Sequence, residues 1–102
     1  MKEAPNILAR DKRLRDIVQR VLSVSVPDRI MLFGSRARGD YRSRSDFDLA
    51  LFGRVDLGKV HERLEEADTL LGIDVISFDE VDDERLKNKI LEEGVVIYER
   101  KV

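Results

Sequence analysis

Asp46 and Asp48 stand two residues apart in Ser45-Asp46-Phe47-Asp48-Leu49-Ala50-Leu51-Phe52, and this alternation limits the fold more than any other feature of the chain. Side chains alternate faces along an extended strand, so Phe47, Leu49 and Leu51 share one face while Asp46, Asp48 and Ala50 share the other. The apolar face belongs to a core; the second is left to carry a site. Two carboxylates on one strand face have Cα atoms about 6.5 Å apart and repel one another unless something positive lies between them. Hard oxygen ligands suit Mg²⁺, which is commonly held by one or two carboxylates together with substrate phosphates. An isolated Asp-x-Asp is also common at a solvent-facing strand end, so the surrounding sequence decides between the two readings.

Upstream, Ile30-Met31-Leu32-Phe33 is a continuous apolar run stopped by Gly34, as expected of a strand buried on both faces. Gly34-Ser35 then falls where that strand ends and a short helix begins, where backbone N–H groups can face an anion. Lacking a Cβ, Gly34 allows close approach of a phosphate, and Ser35 adds a hydroxyl donor. Downstream, Asp74 lies at the start of a third strand, between Ile73 and Val75, where an apolar residue is normally preferred. If that strand neighbours the second, three carboxylates meet at one edge of a sheet, a set suited to two Mg²⁺ ions about 3.5 to 4 Å apart. The turn lacks the Gly-Lys-Ser/Thr ending of a Walker A loop, and Ala50 breaks the ligand pattern of an EF-hand.

The rest of the chain supplies helices to cover this sheet. Leu14, Ile17, Val18, Val21 and Leu22 trace an amphipathic stripe from about Ile7 to Ser23. Asp56 is a candidate N-cap for a helix carrying Leu57, Val60, Leu64, Ala67 and Leu71, with Gly72 as its C′ residue. An acidic turn, Asp79 to Glu84, opens a last helix ended by Gly94, and Val95-Val96-Ile97-Tyr98 is a fourth strand. The expected architecture is one α/β domain over residues 1–102, a small mixed sheet of about four strands with helices packed on it. The tail after Tyr98 is left to extend a sheet edge or to pair with a second subunit in a homo-oligomer. His61 and Tyr41 read as surface residues.

Charge narrows the ligand. With 19 Lys and Arg against 21 Asp and Glu, the net charge of -2 lacks the basic excess of a protein that coats nucleic acid. Arg36, Arg38, Arg42 and Arg44 nonetheless gather around one aspartate, Asp40, a local cationic patch better matched to a small polyanion than to a duplex. No cysteine is present, which excludes disulfides and thiolate metal sites and fits a cytoplasmic protein. No apolar run approaches membrane-spanning length.

Gly34-Ser35-Arg36-Ala37-Arg38-Gly39, then Ser45-Asp46-Phe47-Asp48-Leu49, then Asp74, resembles the nucleotidyltransferase superfamily of DNA polymerase β, and within it the minimal nucleotidyltransferases. The resemblance covers essentially the whole chain. It implies that Gly34 and Ser35 hold the triphosphate of ATP, that Asp46 and Asp48 bind two Mg²⁺ ions, and that Asp74 completes one metal site and helps deprotonate the acceptor hydroxyl. Arg36 is assigned to the departing pyrophosphate and Ser45 to the same nucleotide-binding set. Family members of this size are commonly encoded beside a helical HEPN toxin, and the resemblance implies an antitoxin that transfers AMP to a tyrosine of that partner. A non-catalytic antitoxin, and a catalytic subunit acting on a small hydroxylated molecule such as an aminoglycoside, are the alternatives.

Overall fold

The strand bearing Asp48 lies inside a five-stranded mixed sheet in the computed structural model of the chain, which describes residues 2, 3, 8, 10–67 and 72–101. In chain order the elements are β1 (Lys2–Glu3), α1 (Lys12–Val24), β2 (Arg29–Phe33), α2 (Ser35–Arg38), β3 (Phe47–Phe52), α3 (Leu57–Leu64), β4 (Ile73–Ser77), a 3₁₀ turn (Phe78–Glu80), α4 (Glu84–Glu93) and β5 (Val95–Glu99). The sheet order is β1-β5-β2-β3-β4. β2 runs antiparallel to both neighbours, while the outer pairs β1 with β5 and β3 with β4 are parallel. All four expected strands are present. The fifth, β1, is a two-residue addition beside β5 that no sequence pattern announces, and it moves β5 into the sheet interior.

Helix boundaries follow their caps. Asp11 takes an extended backbone, φ -117° and ψ 101°, and its carboxylate accepts the N–H groups of Arg13 and Leu14, so α1 begins at Lys12. The helix expected to run unbroken from about Ile7 is therefore interrupted at Asp11, whose side chain caps a fresh start; Ile7 itself lies outside the described residues. Asp56 caps α3 as expected, accepting the Lys59 N–H at 3.2 Å. That helix stops at Leu64, however, and not at Gly72. Beyond it Glu66 and Ala67 donate to carbonyls three residues back, the tight turns with which helices commonly end; Leu71 lies outside the described residues. At α4 the acidic run is resolved into a 3₁₀ turn and a cap, Asp83 accepting from Arg85 and Leu86. Gly94 ends α4 at an ordinary φ of -71°; here glycine is needed for room, because a Cβ would run into the Ile90 carbonyl oxygen and Met31 Cε.

Two apolar layers result. On one face Ile30, Leu32, Phe47, Leu49, Leu51, Val75, Val95 and Ile97 pack with Leu14, Ile17, Val18 and Val21 of α1 and with Val60 and Leu64 of α3. On the other, Met31, Ala50 and Val96 pack with Ile90 of α4, flanked by Phe33, Phe52, Ile76, Phe78 and Leu86. The second face is therefore divided, whereas the alternation assigned all of it to the site. Ala50 is fully buried beneath α4, and only the end of β3 that holds Asp48 is left clear.

Candidate active site

The turn after β2 is set by glycine geometry. Gly34 has φ 74° and ψ -159°, a conformation closed to residues with a Cβ, and a Cβ built there would overlap the Asp48 carboxylate. Its carbonyl accepts the N–H groups of Ala37 and Arg38 at 3.1 Å each, which closes the single turn of α2. Gly39, at φ 91°, ends that turn by donating to the Ser35 carbonyl. Ser35 is thus the first residue of α2, half-buried, directly beyond a glycine that lies against Asp48.

Strand register places the acids. Phe33 of β2 pairs with Asp48, and Asp48 pairs in turn with Asp74 of the parallel strand β4. Residues in register on adjacent strands, which lie about 4.8 Å apart, project to the same face. Asp46 immediately precedes β3. Its carboxylate lies so close to Gly72 that a Cβ there would overlap Oδ1, and the Gly72 carbonyl accepts the Phe47 N–H at 3.0 Å. Gly72, expected as a helix C′ residue, instead makes room for Asp46. Asp74 is exposed because β4 is the edge strand, so no burial cost attaches to it.

The three carboxylates act on one another. Asp48 is half-buried and its carboxyl is pushed above the usual carboxylate range, first by burial, then by repulsion from Asp74 and Asp46, with Arg38 opposing the shift. Among the described residues no group of three or more acids, histidines or cysteines is gathered tightly enough to hold an ion as it stands. The donor set nonetheless suits a hard divalent cation. All three donors are carboxylates, and the one that is most desolvated is held in a field that a cation would relieve.

The cations divide sharply. Arg36 is only 5% exposed and turns inward: its Nε donates to the Ser45 carbonyl at 3.0 Å and Nη2 to the Ser43 carbonyl at 3.3 Å. Its guanidinium stacks over Phe47 at 4.2 Å and under Tyr41 at 4.7 Å, with Asp11 Oδ2 at 3.9 Å from Nη1. The residue expected to face phosphate thus braces the loop leading into Asp46. Ser45 belongs to the same loop, its Oγ accepting the Arg42 N–H at 2.8 Å. Arg38 is exposed and donates to Asp40 at 3.3 Å and to Glu93 of α4 at 3.2 Å. Ser35 and Arg38 are three residues apart and share one side of the α2 turn. His61 is exposed, as expected, with Nε2 3.3 Å from the Val75 carbonyl oxygen.

The mixed sheet, with helices on both faces and a glycine-serine turn beside its acidic corner, is the nucleotidyltransferase fold. Residues 14–102 match the family model described as Polymerase beta, Nucleotidyltransferase, and the chain belongs to that family of enzymes. It is 39% identical over 79 residues to a Methanocaldococcus jannaschii protein named "Putative protein adenylyltransferase", a match covering 69% of this chain and 77% of the relative. Among solved structures, one described as "a putative nucleotidyltransferase from Sulfolobus solfataricus" superposes with a TM-score of 0.56 at 26% identity, covering 87% of this chain and 79% of that one. A structure described as a "putative minimal nucleotidyltransferase" gives 0.55 at 28%, covering 81% and 91%. A crystal structure described as a toxin-antitoxin with AMP-PNP gives 0.61 at 16% over 88% and 73%, a likeness of fold alone. No helix among the described residues is long and apolar enough to cross a membrane.

Proposed function

We propose that this protein transfers AMP from ATP to a hydroxyl of a partner protein, a tyrosine of a HEPN-type helical toxin, and so acts in the cytoplasm as an antitoxin. The observation that carries the reading is the register of Asp48 against Asp74, with Asp46 two residues away and Gly34 lying against Asp48. The 39% identity to a relative named as a protein adenylyltransferase supports a protein as acceptor. The fold of the AMP-PNP toxin-antitoxin neighbour is consistent with both nucleotide and partner.

Each residue has a role on this reading. Asp46, Asp48 and Asp74 hold Mg²⁺, which supplies charge neutralisation for the phosphates and the developing charge of the reaction. Gly34, with no Cβ between its backbone and Asp48, lets the turn that would receive the triphosphate lie against the acids, and Ser35 donates to a phosphate oxygen. Arg36 and Ser45 keep the loop that sets Asp46. Asp74, exposed on the edge strand, is positioned to receive the proton of an incoming hydroxyl. The hydroxyl oxygen then bonds to the α-phosphorus, the bond from that phosphorus to the bridging oxygen breaks, and pyrophosphate carries off the electron pair. An exposed corner suits an acceptor as large as a protein, which has to bring its own side chain to the acids.

Incubation with labelled ATP, Mg²⁺ and the protein encoded beside this one is expected to label the partner. Labelling that survives in an Asp46→Asn, Asp48→Asn double variant would refute the assignment. Neutralisation of the partner by that same variant, with no label transferred, would favour antitoxin action by binding alone.

A further inference from the structure

Tyr41 covers a buried charge. It is 50% exposed, yet its ring centroid lies 4.7 Å from the guanidinium carbon of Arg36, a residue only 5% exposed. Phe47, fully buried, meets the same guanidinium at 4.2 Å, so of the two rings Tyr41 alone borders water. The Tyr41 ring is also one wall of a cleft of about 370 Å³ shared with Arg10, Asp11 and Arg36, a route by which solvent would reach the guanidinium were the ring absent. Arg36 in turn fastens the chain just before the acids. Its Nε and Nη2 donate to the carbonyls of Ser45 and Ser43, and between them the backbone closes a tight turn, the Ser45 N–H donating to the Arg42 carbonyl at 3.0 Å. Asp46 follows at once. It lies outside β3 and is exposed, so its place is set by this turn on one side and on the other by Phe47, whose N–H is fixed on the Gly72 carbonyl.

Resting on the metal-binding role proposed above for Asp46, we infer that Tyr41 is a positioning residue for that carboxylate and acts through Arg36. The contact is made by the ring face, which attracts a guanidinium through its quadrupole and does so more strongly where water is kept out. Under that cover the two bonds from Arg36 to backbone carbonyls are charge-assisted and lie in a low-dielectric setting, where such bonds are strongest. Once the ring is removed, water competes for the same N–H groups and the turn from Arg42 to Ser45 loosens. Asp46 then has to be ordered at the moment an ion binds, and that ordering is subtracted from the affinity. Lysine cannot replace Arg36 in this scheme, because an ammonium on a flexible stem lacks the planar fork that spans two carbonyls. Tyr41 itself touches neither metal nor substrate. Its residue type matters for the flat face it lays on a charge, so phenylalanine is an adequate substitute and alanine is not.

The test is equilibrium binding of Mn²⁺, a paramagnetic stand-in for Mg²⁺ at oxygen ligands, by the whole protein without nucleotide. Electron paramagnetic resonance follows the ion in wild type, Tyr41→Phe, Tyr41→Ala and Arg36→Lys, urea titration verifies folding, and hydrogen exchange at the Ser45 amide reports on the turn. Tyr41→Ala is expected to weaken Mn²⁺ binding roughly three- to tenfold, the range for a half-exposed cation–π contact, and to speed exchange at Ser45. Tyr41→Phe should stay within about twofold of wild type on both readouts, since its ring offers the same face. Arg36→Lys should weaken binding at least as much as Tyr41→Ala; if that buried substitution unfolds the protein, exchange at Ser45 in Tyr41→Ala decides the route. Unchanged Mn²⁺ affinity in a folded Tyr41→Ala variant would overturn the inference while leaving the metal reading in place. Loss of affinity in Tyr41→Phe equal to that in Tyr41→Ala would show that the hydroxyl acts and not the ring face, and would overturn it as well. Weakened binding with unaltered exchange at Ser45 would overturn the route through Arg36. Failure of wild type to bind Mn²⁺ at millimolar concentration would overturn the metal reading and this inference together.

Discussion

The two faces of the sheet are built from the same strands and do opposite things. On the face covered by α1 and α3, every position of β3 is apolar and buried: Phe47, Leu49 and Leu51. On the face covered by α4, the strand changes character within two residues, from half-buried Asp48 to fully buried Ala50. The difference lies in coverage. α4 closes over Met31, Ala50 and Val96 and leaves the β3 end open at the turn after β2, so one strand serves both a core and a site. Neighbouring residues Phe47 and Asp48 therefore report on different properties of the molecule.

Substitution at those neighbours should separate stability from chemistry. The largest effect is expected at Phe47, which is fully buried under the Arg36 guanidinium: Phe47→Ala should lower unfolding free energy by about 3–5 kcal/mol in urea titrations. One residue on, Asp48→Asn should cut label transfer by more than about 100-fold while the protein stays folded, as judged by the same titrations. Comparable loss of stability in both variants would break the contrast.

A smaller effect is expected where the faces meet. Gly34→Ala imposes a Cβ at φ 74° and against the Asp48 carboxylate, and should cost about 1–3 kcal/mol of stability together with most of the activity. A Gly39→Ala control, at φ 91° but with open space around it, should cost stability with much less loss of activity. The smallest effect concerns pH. Because burial and two acidic neighbours raise the Asp48 carboxyl, the folded protein holds that proton more tightly than the unfolded chain does. The resulting stabilisation is complete below the ordinary carboxyl range and is lost as pH rises through the raised folded value. With divalent ions removed by chelator, wild type should therefore melt close to Asp48→Asn at low pH and progressively below it as pH rises. Added Mg²⁺ should narrow that gap at neutral pH, and a gap that ignores both pH and Mg²⁺ would show that Asp48 carries no such penalty.

Local pattern carried much of this protein. Alternation announced β3, a continuous apolar run announced β2, and Asp56 announced the start of α3, because strand period and capping chemistry depend on residues close in sequence. Arg36 and Gly72 were misjudged for the opposite reason. An arginine beside a phosphate-binding turn reads as a ligand until Tyr41, Phe47 and the Ser43 and Ser45 carbonyls are seen to enclose it. A glycine after an apolar stripe reads as a helix stop until Asp46 is found against it.

By itself the sequence determined the four longer strands, the presence of the helices between them and the alternation that puts Asp46 and Asp48 two residues apart, since each is written in the spacing of residues close along the chain. Only tertiary structure decided that β4 lies parallel beside β3 and in register, which brings Asp74 level with Asp48, and that Arg36 turns inward while Arg38 faces Glu93. The physical reason is one of range. Hydrophobic period and caps act over a few residues, whereas strand order, register and the burial of a charge are settled by contacts between segments far apart in the chain.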